Sequence, residues 1–407
     1  MTLDVMVVGA GLVASTLIRA LSNAHTDLRI GILDVTAGGA VPSTSDDRPI
    51  ALAEGSMCIL RSLGFDDVLA QCAAPIACVH VSERGQFGFC RLHADELGVS
   101  ALGHVVDAHT LGNVLSGAEV NTAYCQRFQV EVLLRITAGE HDVSVEFRDA
   151  VDSQVKTLTT RLLIATDGRS GGVQDLLSVP VRRRDYQQVA ITATARMSLA
   201  HDGVAYERFT NTGPIAMLPM TDDRSGLIWT LPSEQAEQYL DLDDASFARD
   251  MRARFGRRLG QVLQLSERHG HPLWLHEYGN PALPRVLLLG SAARTLHPVA
   301  GQALNLALRD VSALAEILID HRRCDEDVGQ ARVLEEFTQW RRRDQQRVTW
   351  ATDSLVSLFA LDWTALRLAR GVGLLCLDHL PPLKKAFARH AAGLAGRQSR
   401  LMRGLGL

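Results

Sequence analysis

The chain has 407 residues, 46% of them hydrophobic and 22% charged, with a formal net charge of −4 at pH 7. That is the profile of a globular enzyme with room for two modest domains or one discontinuous pair, and it gives no global reason to expect nucleic acid. No stretch approaches the roughly 18 uninterrupted apolar residues of a membrane span. Seven cysteines without a C-x-x-C spacing argue for a reducing compartment, the cytosol being the simplest expectation, and no secretory signal is expected at the amino terminus.

The predicted elements begin with a strand over Leu3 to Val8, a glycine turn, a helix to about Ser22 and a second strand from Arg29 to Leu33. This is a β-α-β unit whose crossover suits a parallel pair. The turn reads Gly9-Ala10-Gly11-Leu12-Val13-Ala14, a dinucleotide fingerprint in its required strand-turn-helix context. Gly9 makes the tight turn, Gly11 lets backbone approach a pyrophosphate, and Ala14 keeps helix close to strand. Asp34 follows Gly11 by 23 residues, near the offset at which an acidic side chain meets a ribose hydroxyl. A Gly/Ser/Pro-rich loop spans Gly38 to Ser45. Arg48 then has two readings, a fork for a cofactor phosphate or a surface residue neutralised by Asp46 or Asp47.

Further on, Arg161 to Thr166 reads as a strand stopped by Asp167-Gly168, and Arg285 to Leu289 as another stopped by Gly290. Both place a turn at a carboxyl strand edge, where a ligand sits in such sheets. Between them, from about Tyr186 to Trp274, β-branched and aromatic runs alternate with turn residues, which predicts an inserted antiparallel sheet.

The segment Leu296-His297-Pro298-Val299-Ala300-Gly301-Gln302-Ala303-Leu304-Asn305 carries the most chemistry. Pro298 and Gly301 force an irregular loop before a long amphipathic helix that starts at Gln302. The backbone amides of Gly301 to Leu304 then converge on one point, where they would stabilise negative charge. Pro298, Gly301 and Gln302 are the catalytic candidates on that ground. The plain alternative is a loop-to-helix junction with Asn305 on the solvent side. His297 is a weaker candidate for a general base, being one of 14 scattered histidines. No metal site is expected: His269-Gly270-His271 has no nearby partner at ligand spacing. Neither a G-x-S-x-G nor an H-E-x-x-H motif occurs. The last hundred residues read as helical, broken at Gly371 to Gly373 and at Pro381-Pro382.

The order of Val8-Gly9-Ala10-Gly11, Ala165-Thr166-Asp167-Gly168, Gly290-Ser291-Ala292-Ala293 and His297 to Gln302 resembles the single-component flavin aromatic hydroxylases over nearly the whole chain. Thr295 to Asn305 with Leu308-Arg309-Asp310-Val311, and Ala205-Tyr206-Glu207-Arg208-Phe209, are most similar to the ubiquinone-biosynthesis branch and its polyprenyl-methoxyphenol hydroxylases. The resemblance implies an α/β fold like that of para-hydroxybenzoate hydroxylase. A Rossmann-like FAD-binding domain (1–75, 101–179 and 276–345) would carry an inserted antiparallel-sheet substrate domain (76–100 and 180–275) and C-terminal helices (346–407). FAD would be held by Gly9, Gly11, Ala14, Asp34, Arg48, Asp167, Gly290, Ser291 and the Gly301, Gln302, Ala303, Leu304, Asn305 run. Tyr206, Phe209, Met217, Leu218 and Pro219 would face the substrate.

Such enzymes reduce FAD with transiently bound NAD(P)H, trap dioxygen as a C4a-hydroperoxide and hydroxylate an electron-rich phenol. The implied substrate is a polyprenylated phenol, and the implied partners are other ubiquinone-biosynthesis proteins. A non-catalytic flavoprotein-like assembly subunit is the alternative, because Ser291 and Ala303 depart from the family's acidic or amide residue and its glycine. A nicotinamide dehydrogenase would leave the 290–305 segment without purpose.

From Trp363 onward eight Lys or Arg stand against one acid, Asp378, so the tail carries about +7 and the rest about −11. Two readings follow: adsorption to anionic lipid as a peripheral contact at the inner face of the membrane, or a helical hairpin packed on the FAD domain with a solvated basic face.

Overall fold

The computed structural model describes residues 2–35, 48–117, 124–166, 168, 172–279, 281–297, 301–360 and 364–407. Its centre is a parallel sheet with strand order Cys125–Ala138, Ile30–Val35, Thr2–Val8, Val155–Ala165 and Val286–Leu288. The strand Val143–Asp149 pairs antiparallel with both Cys125–Ala138 and Val155–Ala165. Leu3 and Val5 to Val8 of Thr2–Val8 are apolar because both faces are covered. Val5 and Val7 face the helices Leu12–Asn23 and Gln302–Arg323, while Met6 and Val8 face Phe147 and Val173. This is the expected α/β core.

A larger, mostly antiparallel sheet covers it, in the order Arg294–Thr295, His269–Tyr278, Val181–Met197, Arg224–Pro232, Gly213–Pro219, Val204–Thr210, Cys78–Glu83 and Phe89–His93. The one parallel pair in that path joins Val204–Thr210 to Cys78–Glu83. Behind this sheet, Ser233–Asp241 and Asp244–Phe255 pack on a buried Trp229, with Tyr239 and Phe247 at 4.8 and 5.4 Å between ring centres. A small sheet of Pro49–Ala53, Gly103–Asp107 and Ala74–Pro75 lies between the two large ones.

Two expectations are corrected. The helix Gln302–Arg323 is buried all round from Asn305 to Ile319, not along one stripe. Its polar residues are matched by ion pairs, Arg309 with Asp344, Asp310 with Arg341, and Glu316 with Arg400. Burial works against the charge on Asp344, but Arg309 and Arg341 outweigh it and hold the carboxyl below its usual range.

The second correction concerns Gly371 to Gly373, which do not break the helix: Thr364–His379 is continuous. A Cβ on Gly88 would lie 2.1 Å from the Gly371 carbonyl oxygen and 2.5 Å from its Cα, so these glycines let helix and turn meet backbone to backbone. Tertiary packing overrides the propensity that reads glycine as a breaker. Pro381-Pro382 does open a new helix, Pro381–Ala391.

Gly88→Ala should therefore destabilise the fold by about 1–3 kcal/mol, since the obstacle is backbone that cannot rotate away. Gly373→Ala, in the same helix but with open space around the added methyl, should stabilise by roughly 0.5–1 kcal/mol. Denaturant unfolding of both variants checks the contrast.

Candidate active site

Strand register brings the sequence-distant turns to one edge. Val8 stands opposite Leu33 and Ala165, and Ala165 opposite Leu288. The residues that follow, Gly9, Asp34, Thr166 and Leu289-Gly290, therefore share the carboxyl edge of the sheet. Cross-links fix the edge: Gly9 N–H donates to the Leu33 carbonyl at 2.9 Å, Leu289 N–H to Ala165 at 2.8 Å, and the Thr166 hydroxyl to Val8 at 2.8 Å.

Gly9 has φ 107°, a conformation that glycine adopts without a steric penalty. Gly11 caps the helix Leu12–Asn23, and a Cβ there would meet nothing within 4 Å. Ala14 is fully buried between helix and sheet. Asp34 lies at the end of its strand, 3.4 Å from both Arg127 and Gln129. A Cβ on Gly290 would touch Val13 at 3.1 Å and Ala307 at 3.6 Å, and one on Gly168 would reach the Ser291 hydroxyl at 3.3 Å. Asp167 and Pro298 lie outside the described residues.

Gly301 caps the helix Gln302–Arg323 in the left-handed region, φ 56°, with no side-chain cap bond. The first-turn amides have no partner within the helix. The Gln302 side chain donates to the Ala391 carbonyl at 3.4 Å, and both residues line the adjoining cavity. Asn305, expected either to touch the cofactor or to face solvent, does neither through its amide, because both ends bind protein. Its Oδ1 accepts from Ala53 N–H at 2.7 Å and the Ser56 hydroxyl at 2.8 Å, and its Nδ2 donates to Ala51 at 2.8 Å and Gly301 at 2.7 Å. It is a clamp on the loop.

His297 is buried, its Nε2 donating to the Gln188 amide oxygen at 3.2 Å, with its ring edge-on to Tyr186. Burial lowers it to about 4, so it is neutral at pH 7 and ties the loop to the covering sheet.

In front of this helix terminus lies a largely apolar cavity of about 780 Å³. Leu12, Arg48 and Gly301 to Asn305 form its cofactor-side wall, and Leu12 directly follows Gly11. Arg48 is half-buried in that wall, while Asp46 and Asp47 lie outside the described residues. Phe209 and Leu218 line the cavity as expected, whereas Tyr206, opposite Met217 in register, borders it and turns its ring behind the sheet against His80 and Phe255. Met217 and Pro219 do not share that face: Pro214, Ala216 and Leu218 line the cavity, and the opposite parity sends Met217 into the core behind the sheet.

Two features of the wall escaped the sequence reading. The C-terminal helices contribute Leu366, Leu374, Leu377 and Ala391, for which the only signal was apolar spacing within a basic tail. Glu207 also faces the cavity, where burial alone pushes its carboxyl up to about 7. Its position two residues before Phe209 on one strand was the available clue.

Residues 2–352 match a family model described as an FAD binding domain. The chain belongs to that family. It is 33% identical to ubiquinone hydroxylase UbiL of Rhodospirillum rubrum over 99% of this chain and 93% of that protein. It is 26% identical to the 3-demethoxyubiquinol 3-hydroxylase of Escherichia coli over 96% and 98% of the two chains. Among solved structures, p-nitrophenol 4-monooxygenase PnpA of Pseudomonas putida superposes with a TM-score of 0.76 at 16% identity, covering 98% of this chain and 99% of that one, a likeness of fold.

FAD is the family's cofactor, and the residues present fit it. The open space before Gly11, the φ 107° turn at Gly9 and the helix terminus at Gly301, which has no side-chain cap bond, form a cradle that side chains would fill. Ala303 is exposed toward the cavity, where the resemblance places glycine. Gly11→Val should leave apoprotein unfolding nearly unchanged while raising the FAD dissociation constant at least tenfold. Ala303→Gly should lower that constant several-fold, and wild type should lose FAD on extended dialysis; flavin fluorescence titration reads all three.

Proposed function

We propose that this chain is an FAD-dependent monooxygenase that hydroxylates the ring of a polyprenylated phenol in ubiquinone biosynthesis, with NAD(P)H as transient reductant and dioxygen as oxygen source. The observation that carries the reading is continuity: one apolar cavity runs from the helix terminus at Gly301 to the C-terminal helices. A phenol ring fits the end near Gly301, under Phe209 and Leu218, and an isoprenoid tail fits the end walled by Leu366, Leu374, Leu377 and Phe387. The bound flavin would activate dioxygen and deliver one atom to the ring. The protein's part is to hold the dinucleotide through Gly9, Gly11, Asp34, Arg48, Asp167, Gly290 and Ser291, to aim the amides of Gly301 to Leu304 at the ring that takes on charge, and to exclude water.

Delivery of such a substrate calls for contact with a bilayer or with a carrier among other ubiquinone-biosynthesis proteins. The tail supports this with apolar surface beside its charge: four of its eight basic residues are engaged within the fold, while Lys385, Arg389 and Arg403 are exposed. Arg370 pairs with Glu83, Lys384 with Glu96 and Asp378, and Arg400 with Glu316 and Asp320, while Arg397 lies over the Trp340 ring. Among the described residues no helix is long and apolar enough to cross a membrane. Leu368 and Val372, then Leu383 and Phe387, are exposed at one-turn spacing on two packed helices, and Phe387 also lines the cavity. We take this patch as a peripheral contact at the cavity's outer end.

Purified FAD-loaded protein should consume NAD(P)H and oxygen with a short-chain prenylphenol and yield a product heavier by one oxygen, read by mass spectrometry. It should also restore quinone synthesis in one of a set of bacterial strains each lacking a single ring hydroxylase. A protein that binds FAD yet hydroxylates no phenol and rescues no strain would belong to the assembly-subunit alternative. In liposome sedimentation, Leu383→Glu with Phe387→Glu should reduce binding several-fold at both low and high salt, whereas a charge-driven contact would be lost on adding salt to wild type.

A further inference from the structure

We propose that Glu207 is a catalytic residue of this site, the hydrogen-bond acceptor and base for the substrate's phenolic hydroxyl; the inference rests on the phenol reading above. The argument begins with placement. Glu207 pairs in register with Val81 on one side and Ala216 on the other, and both of those residues line the cavity. Ala205 and Phe209, the neighbours on its own strand at the same parity, line it as well. A carboxyl thus stands in the middle of an apolar sheet face that looks toward the Gly301 helix terminus.

Carboxylates are seldom retained in such surroundings without a partner, because desolvation disfavours the charged form. Among the described residues, the other titratable groups on the cavity wall do not supply one. Arg370 is engaged with both oxygens of Glu83 and with the Leu358 carbonyl. Tyr206, next to Glu207 on the strand, turns its ring to the opposite face against Phe255, and burial pushes the Cys90 thiol up to about 12, which leaves it neutral. Arg48 stands on the cofactor-side wall. Burial is the sole influence acting on Glu207, and it places the group near neutrality, where a general base works best.

The step is a proton transfer. As oxygen is delivered to the ring, the phenolic O–H bond breaks and its proton forms a new O–H bond on the Glu207 carboxylate. The electron pair stays on the phenol oxygen and enriches the ring carbons ortho and para to it. The ring hydrogen at the hydroxylated carbon leaves as a proton that is taken up with the second oxygen atom, released as water, and Glu207 returns the borrowed proton to the original oxygen. The carboxylate ends as it began.

The test compares a short-chain prenylated methoxyphenol with its methyl ether, which cannot donate. Both are titrated against FAD-loaded wild type and Glu207→Gln by equilibrium dialysis from pH 5.5 to 8.5. In wild type the preference for phenol over ether should grow about ten- to hundredfold as the carboxyl ionises, the difference between a neutral and a charge-assisted hydrogen bond. In Glu207→Gln the preference should be small and flat while ether affinity is unchanged, which also reports an intact fold. Glu207→Asp should keep the pH dependence at lower affinity. The acid limb of kcat/KM near pH 7 should be present in wild type and absent in Glu207→Gln. A Glu207→Gln protein with the wild-type pH dependence, or a wild type that hydroxylates the phenol with a flat preference, overturns the role of Glu207 alone. A wild type that neither binds nor hydroxylates the phenol overturns the phenol reading and this inference together.

Discussion

The position of the redox-facing loop depends on one buried amide. Asn305 is about 1% exposed, and its four hydrogen bonds reach Gly301 in its own turn, Ala51 and Ala53 on the small sheet, and Ser56 on the helix behind. An aliphatic residue of the same size would leave Ala53 N–H and two carbonyls without that partner, each a desolvated group of the kind proteins rarely tolerate. An aspartate would keep the acceptor and lose the donor. Only a carboxamide satisfies both sides, so the aim of the first-turn amides follows from a side chain whose polar atoms are all engaged with protein.

Around that clamp, polar and apolar duties divide by location. The cofactor edge is made mainly of backbone, because close approach to a dinucleotide favours glycine and free amides over side chains. The cavity is made of apolar side chains from three sources: the small sheet, the covering sheet and the C-terminal helices. Against that wall the Glu207 carboxyl, alone among the described lining residues, has unusual weight. With little to solvate it, Glu207 responds mainly to whatever donor the ligand brings, whereas a surface carboxylate would answer to water first.

The parts legible in the sequence were those with short-range rules. Gly9, Gly11 and Gly290 announce their turns locally, Asp34 stands at a fixed offset, and the alternation from Ala190 to Thr230 reads as sheet without knowledge of its partners. Parity within a strand was equally available, and it separates Leu218 from Met217 once one cavity-facing residue is known. Illegible were contacts set by packing across the chain. Nothing local says that Gly371 meets Gly88, so a helix contact reads as a helix break. Nothing local says that Arg370 meets Glu83, so an interior ion pair reads as part of a solvated basic face. The helix Gln302–Arg323 misled for a related reason: its charged residues looked solvent-facing because their partners on the helix Ala331–Ala360 and in the tail lie far along the chain.

The Arg370–Glu83 pair explains why a cationic tail becomes a cavity wall. Arg370 Nη2 and Nε meet the two Glu83 oxygens at 2.6 and 3.1 Å, and both side chains are under 9% exposed. Burying such a pair contributes little net stability compared with apolar packing of the same volume. Its value is geometric. The leucines of Thr364–His379 could slide along the covering sheet at small cost, since apolar contact is not directional. A planar guanidinium locked two-to-two on a carboxylate at the end of Cys78–Glu83 cannot slide without stranding both charges. The fork therefore sets where Leu366, Leu374 and Leu377 stand relative to Phe209 and Glu207, and with them the depth of the cavity.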